Sequence, residues 1–332
     1  MHQNRRLTLS VATLGLLSVL SAPSLAQEVL VGDLTGDRIV RFDWPSGQVF
    51  DHFVGSGVSE LNGPRAMCLG PDGMLYVASQ INDSVLRVDA SNGRVLGTFV
   101  RSGPGVDLNS PRGLAFDAHG DLYVTSSAND KVLKFDGETG AFLSEFIERG
   151  DEGPNGPADI LFEAGGDTVL VSARSGDNVL RYDASTGAFL EEVLAPAEMG
   201  LEEPTGLLAL AGGRILVCSA GSNRIIELAP DGSASVFAAP ASPVLDQPED
   251  IVQAPDGSLL VVFSGGTGGV QQFDNDGEFL RLFIAGGSGG MNGDPVSLLI
   301  LPATCQADFN DDGSLDIFDF LAFQNAFDAG CP

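Results

Sequence analysis

The chain has 332 residues, with 45 acidic against 17 basic side chains and a formal charge of −28. That balance excludes a nucleic-acid binder that relies on a basic surface, and a protein drawn to anionic lipid. With 43 glycines, 18 prolines and 43% apolar residues, it is apolar enough to fold and punctuated too often for long helices.

Residues 1–26 read as a secretory signal. Arg5 and Arg6 form the charged start, Leu7 to Leu20 a short apolar stretch, and Ser24-Leu25-Ala26 offers small residues before Gln27. Asn4-Arg5-Arg6-Leu7 is also a weak twin-arginine pattern. The stretch is short for a membrane span, and no later segment reaches roughly 18 apolar residues. No transmembrane segment is therefore expected after signal removal; the alternative is an uncleaved N-terminal anchor. Cleavage leaves 15 basic residues and a charge of −30. The expected location is outside the cytoplasm of a bacterium: secreted, periplasmic or at the cell surface.

Residues 27–303 are organised by a repeat. Six prolines recur at Pro64, Pro111, Pro157, Pro204, Pro248 and Pro295, spaced by 47, 46, 47, 44 and 47 residues. The segment from Pro111 holds four short apolar runs, Gly113–Phe116, Leu122–Thr125, Val132–Phe135 and Phe142–Ile147. His119-Gly120, Asn129-Asp130 and Gly137-Glu138-Thr139-Gly140 separate them, all turn chemistry. Four antiparallel strands at this period predict propeller blades. Before Pro64 lies only part of a blade, and after Pro295 only one run, Val296 to Leu301. Those fragments complete one another. The expectation is an all-β, six-bladed β-propeller of four-stranded blades closed by the C-terminal strand.

The repeat words resemble the NHL family and the streptogramin lyase (virginiamycin B lyase) propellers. The matching words are the opening at Pro111 to Asp117, Asp121 to Val124, and Val132 to Asp136. The resemblance covers roughly residues 28–302. It implies the propeller fold; propellers host binding, lyase, lactonase and scaffold roles alike.

Residues 304–332 leave the repeat. Asp308, Asn310, Asp312, Ser314, Asp316 and Asp319 stand at positions 1, 3, 5, 7, 9 and 12 of an EF-hand-type loop, with Gly313 at the sharp turn. Calcium is the expected cofactor, held by five side chains and the Ser314 carbonyl. Position 12 is Asp and the entering helix is missing, so the tail resembles a dockerin loop, here ending Gly330-Cys331-Pro332. A dockerin carries two loop-helix units and this chain carries one. The resemblance implies a cohesin-like or other envelope partner, or a sorting and anchoring role. Cys305 and Cys331 bracket the segment and are expected to form a disulfide in an oxidising compartment. Cys68 and Cys218 lie in apolar runs and read as buried small hydrophobes.

In a propeller, the segment before each inner strand and the turn after each second strand meet around the channel. One ring is then Ala66, Gly113, Asp159, Gly206, Asp250 and Ser297, with Arg65, Arg112 and Glu249 adjacent. The other is Asp33, Ser79, Ser126, Ala173, Ser219 and Ser264, with Arg174 nearby. Asp33, Asp159 and Asp250 are expected to converge on a cation or polar ligand, with Arg65, Arg112 and Arg174 as counter-charges. The alternative is a set of polar residues capping a solvated mouth. The lyase resemblance implies His and Glu around a divalent metal, yet the chain holds only His2, His52 and His119, and no Glu-x-His pair. Six-bladed lactonases imply a channel Glu, Asn and Asp, of which only Asp159 and Asp250 have candidates. The leading reading is an exported binding or scaffold propeller for a protein or glycan; the alternative is a propeller lyase or hydrolase.

Overall fold

Each repeat proline opens the inner strand of one sheet: Pro64–Leu69, Pro111–Phe116, Pro157–Phe162, Pro204–Ala209, Pro248–Gln253 and Pro295–Leu301. The first residue of a strand is where a missing N–H is tolerated. The computed structural model describes residues 27–239 and 245–302. The signal segment, the calcium loop and the Cys305–Cys331 pair lie outside the described residues.

Six four-stranded antiparallel sheets result, and five use consecutive strands in chain order. In blade three these are Pro111–Phe116, Leu122–Ser126, Lys131–Phe135 and Phe142–Ile147. The inner strand starts two residues earlier than its apolar run, because Pro111 already pairs with Ser126 across a bulge. Blade one is composite. Gln27–Asp33, Arg38–Trp44 and Val49–Val54 supply three strands, and Pro295–Leu301 pairs with the first of them. Val31 stands opposite both Val40 and Leu298. The C-terminal strand thus closes the ring, as the two incomplete ends require.

Burial follows position in the blade. The second strand of blade three, Leu122–Ser126, is buried at every residue, whereas Leu143, Ser144 and Glu145 of the outer strand are exposed. Six apolar clusters fill the six contacts between neighbouring blades. One joins Tyr76 and Val85 of blade two to Leu114, Leu122 and Phe135 of blade three. Another joins Val262 and Val270 of blade six to Val29, Val40 and Leu298 of blade one. Tyr76 packs edge-on against Phe99 of its own blade and Phe116 of the next, with centroids 4.9 Å apart in both pairs.

A polar stitch repeats beside the apolar one. Asp37, Asp83, Asp130, Asp177 and Asn223 each end the turn before a third strand in the left-handed region. Each accepts the backbone N–H of the residue before the next blade's proline: Gly63, Ser110, Gly156, Glu203 and Gln247, at 2.7–2.8 Å. Asp and Asn are among the few residues with a Cβ that enter that region routinely. At the sixth interface the position is Gly268, which has no side chain to offer.

Candidate functional site

At the end of the channel where the inner strands begin, the register slips just after the proline in the five continuous blades. A bulge there re-aims the following side chains. The residue after the proline is Arg65, Arg112, Ala158, Thr205, Glu249 or Val296, and all six line one cavity of about 240 Å³. Asp159 and Asp250 line it one position further along their strands, above apolar residues such as Leu114, Ile160, Leu207, Ile251 and Leu298.

Glu249 is the hub of this mouth. Its buried carboxylate accepts Arg65 Nη2 at 2.6 Å and the Ser264 hydroxyl at 3.1 Å. Arg174 Nη1 stands 3.6 Å from the same Oε2, and Arg112 Nη2 4.0 Å from it. Arg174 also donates to Glu203 at 2.6 Å. The three arginines singled out by the sequence therefore meet, but around Glu249 rather than around the aspartates. Glu249 is not among the residues that the sequence pattern assigns to the ligand. Its signal is positional, since it follows its repeat proline as Arg65 and Arg112 follow theirs.

Asp159 and Asp250 have another task. Asp159 accepts the backbone N–H of Ile160 at 2.8 Å and, across the blade boundary, that of Leu207 at 2.9 Å. Asp250 likewise accepts from Ile251 at 2.8 Å and Leu298 at 2.9 Å. The neighbouring blades must come close for this. A Cβ on Gly113 would stand 2.7 Å from the Asp159 Cα, and one on Gly206 2.8 Å from the Asp250 Cα. The alternation of Gly and Asp around the ring is thus a packing pattern. Burial pushes the Asp159 carboxyl up to about 6 and that of Asp250 to about 7, against the pull of the amides. The charge on Asp159 adds to the upward shift at Asp250.

Asp33 does not join them. It is fully buried, accepts the Asn292 N–H at 2.9 Å and lies 3.4 Å from Arg38 Nε, away from the cavity lining. Ser79, Ser126 and Ser219 do the equivalent work in other blades, accepting the N–H of Asn62, Asn109 and Glu202 at 2.8–2.9 Å. Most of the second expected ring therefore anchors the loops that lead into the inner strands. Among the described residues, no group of three or more His, Cys, Asp or Glu stands ready to hold a metal.

His52 lies on an outer strand, its Nε2 2.8 Å from the Gly289 carbonyl, and the exposed His119 lies in a turn. Neither lines the mouth. Cys68 and Cys218 are free thiols; burial pushes Cys68 up to about 12 and Cys218 well above its ordinary value. Both are poor nucleophiles.

No protein-family model matches the sequence, and no curated protein matches it either. Solved structures do match in shape. A chain of a nidogen/laminin complex superposes with a TM-score of 0.67 at 18% identity, covering 84% of this chain and 100% of its own. A streptogramin B lyase gives 0.60 at 14% identity, covering 85% and 88%. A protein of unknown function from Bacteroides caccae gives 0.63 at 14% identity, covering 83% and 99%. The chain has the propeller fold of these proteins. At such identities the fold is what they share, and function rests on the site.

Proposed function

We propose that this is an exported β-propeller binding module whose ligand, a protein or glycan, contacts the channel mouth. In this reading residues 304–332 are a calcium-dependent docking or anchoring tail for an envelope or cohesin-like partner. One observation carries the choice of binding over catalysis. Asp159 and Asp250 each commit both carboxylate oxygens to backbone amides, while Arg65 and Arg112 line the cavity. Such a mouth is built to hold a ligand rather than to move its protons. Export is supported by the charged and apolar pattern of residues 1–26, and the tail by the spacing of its oxygen-bearing residues.

A propeller lyase or lactonase-type hydrolase is the second reading. The Asp250 carboxyl favours it, since a group pushed up to about 7 exchanges protons at neutral pH. Pull-downs from the native envelope fraction separate the contributions. Wild type, the double variant Arg65→Gln/Arg112→Gln and a chain ending at Pro302 are compared, each with and without chelator. The binding reading expects one set of captured material lost in the double variant and another lost with the tail or with calcium. Capture unaffected by the mouth variant would refute a binding mouth.

A further inference from the structure

The mouth gathers three of the 17 basic residues of a chain with a net charge of −28. Their side chains are largely buried, at 9% exposure for Arg65, 13% for Arg112 and 26% for Arg174. Arg65 and Arg174 have close carboxylates in Glu249 and Glu203. Arg112 does not. Its nearest carboxylate oxygen is Glu249 Oε2 at 4.0 Å, too far for a hydrogen bond. Its buried Nε has no acceptor among the described residues. A buried guanidinium N–H without an acceptor is costly, and the bulge that follows Pro111 holds Arg112 against the cavity nonetheless. Glu249 is shared among the three guanidiniums, and the oxygens of Asp159 and Asp250, which line the same cavity, answer backbone amides, so Arg112 has no carboxylate of its own.

We propose that the mouth binds the carboxylate group of a small ligand, with Arg112 as its principal donor and Arg65 and Arg174 flanking it. This rests on the binding reading above. The planar fork of an arginine matches the two oxygens of a carboxylate. The body of the ligand extends into the cavity of about 240 Å³, against Leu114, Ile160 and Leu298. Glu249 competes for the same guanidiniums. It holds Arg65 in place when the mouth is empty and limits affinity when the ligand arrives.

Calorimetric titration of the full chain at neutral pH tests this. The probes are hexanoate, with an apolar body, and glucuronate, with a hydroxylated one; 1-hexanol and glucose are the neutral controls. The expected result is saturable binding of at least one acid and of neither neutral control. Arg112→Gln should weaken it at least tenfold, since a hydrogen bond between charged groups is lost. Arg112→Lys should fall between, keeping the charge and losing the fork. Glu249→Gln should tighten it severalfold. Thermal unfolding establishes that each variant is folded. Absence of binding by both acids, an unchanged Arg112→Gln, or a Glu249→Gln as weak as Arg112→Gln would each overturn the proposal. If envelope capture still depends on Arg65 and Arg112 while neither acid binds, the carboxylate assignment falls and the binding module stands.

Discussion

Asp130 accepts the backbone N–H of Gly156 through Oδ1 at 2.8 Å, and both residues hold left-handed backbone, at φ +61° and +63°. One side chain thus fixes the turn of blade three and the entry loop of blade four together. Replacing Asp130 by Ala orphans the Gly156 amide and puts a residue less suited to the left-handed region at that turn. The expected cost is about 1–2 kcal/mol, read from urea unfolding. Asp130→Asn keeps the acceptor oxygen and should retain most of the stability. Equal losses in the two variants would show that the bond is not what matters.

The ring has one interface without that stitch, where blade six meets the closing strand. There, closure depends on the pairing of Pro295–Leu301 with Gln27–Asp33 and on the apolar cluster that includes Leu298. A chain ending at Asp294 leaves the first strand as an open edge and removes part of that cluster. It should lose its cooperative thermal transition or melt far below a chain ending at Pro302. Similar melting temperatures would contradict closure by the C-terminal strand.

Supplying the missing stitch should not help. A Cβ on Gly268 would stand 2.4 Å from the Cδ of Pro295. Gly268→Asp is therefore expected to destabilise by about 1–3 kcal/mol, as overpacking does. A stabilised variant would show that the loop relaxes freely.

The fold was legible because its signals are local and repeated. Pro111, Asn129-Asp130 and the run from Phe142 recur at a fixed period, and two incomplete ends can close a ring in only one way. The mouth was half legible. Counting from the proline brings Arg65, Arg112, Asp159 and Asp250 to one cavity. It does not reveal that Asp159 and Asp250 answer amides of the next blade, because the partners Leu207 and Leu298 are 48 residues away. Asp33 resembles a mouth residue in position yet replaces the anchoring serines of the other blades. Glu249 carries no motif, and its importance appears only when three arginines from different blades are seen to surround its carboxylate.

The proposed tail site predicts a calcium response separable from the propeller. Calorimetric titration of the full chain should give one site in the weak extracellular range, roughly 10⁻⁴ to 10⁻³ M, since the loop lacks a paired partner. The chain ending at Pro302 should give none. Asp312→Ala should abolish the heat or shift the affinity strongly, with the propeller's melting temperature unchanged. An unaltered titration in Asp312→Ala, or calcium binding by the shortened chain, would remove the tail as the site.

The two channel aspartates set a pH dependence whose sign follows from their shifts. Burial raises Asp159 to about 6 and Asp250 to about 7, above the unfolded value of about 4. Between those limits the folded chain holds protons that the unfolded chain has released. Their stabilising effect is complete below about pH 4, declines as pH rises through 6 and 7, and is gone above that. Carboxylates such as Asp117 and Asp72, shifted down, act oppositely: their contribution is lost as pH falls through the acid range. Stability should therefore peak on the mildly acid side and fall by about 4 kcal/mol between pH 5 and 8. Asp250→Asn should flatten most of that slope. It should also be less stable than wild type at pH 5, because an amide nitrogen cannot accept the second backbone N–H. Urea midpoints across this range, measured for both proteins, provide the check. Parallel profiles would mean that Asp250 is ionised in the folded protein throughout, and that its backbone bonds outweigh its burial.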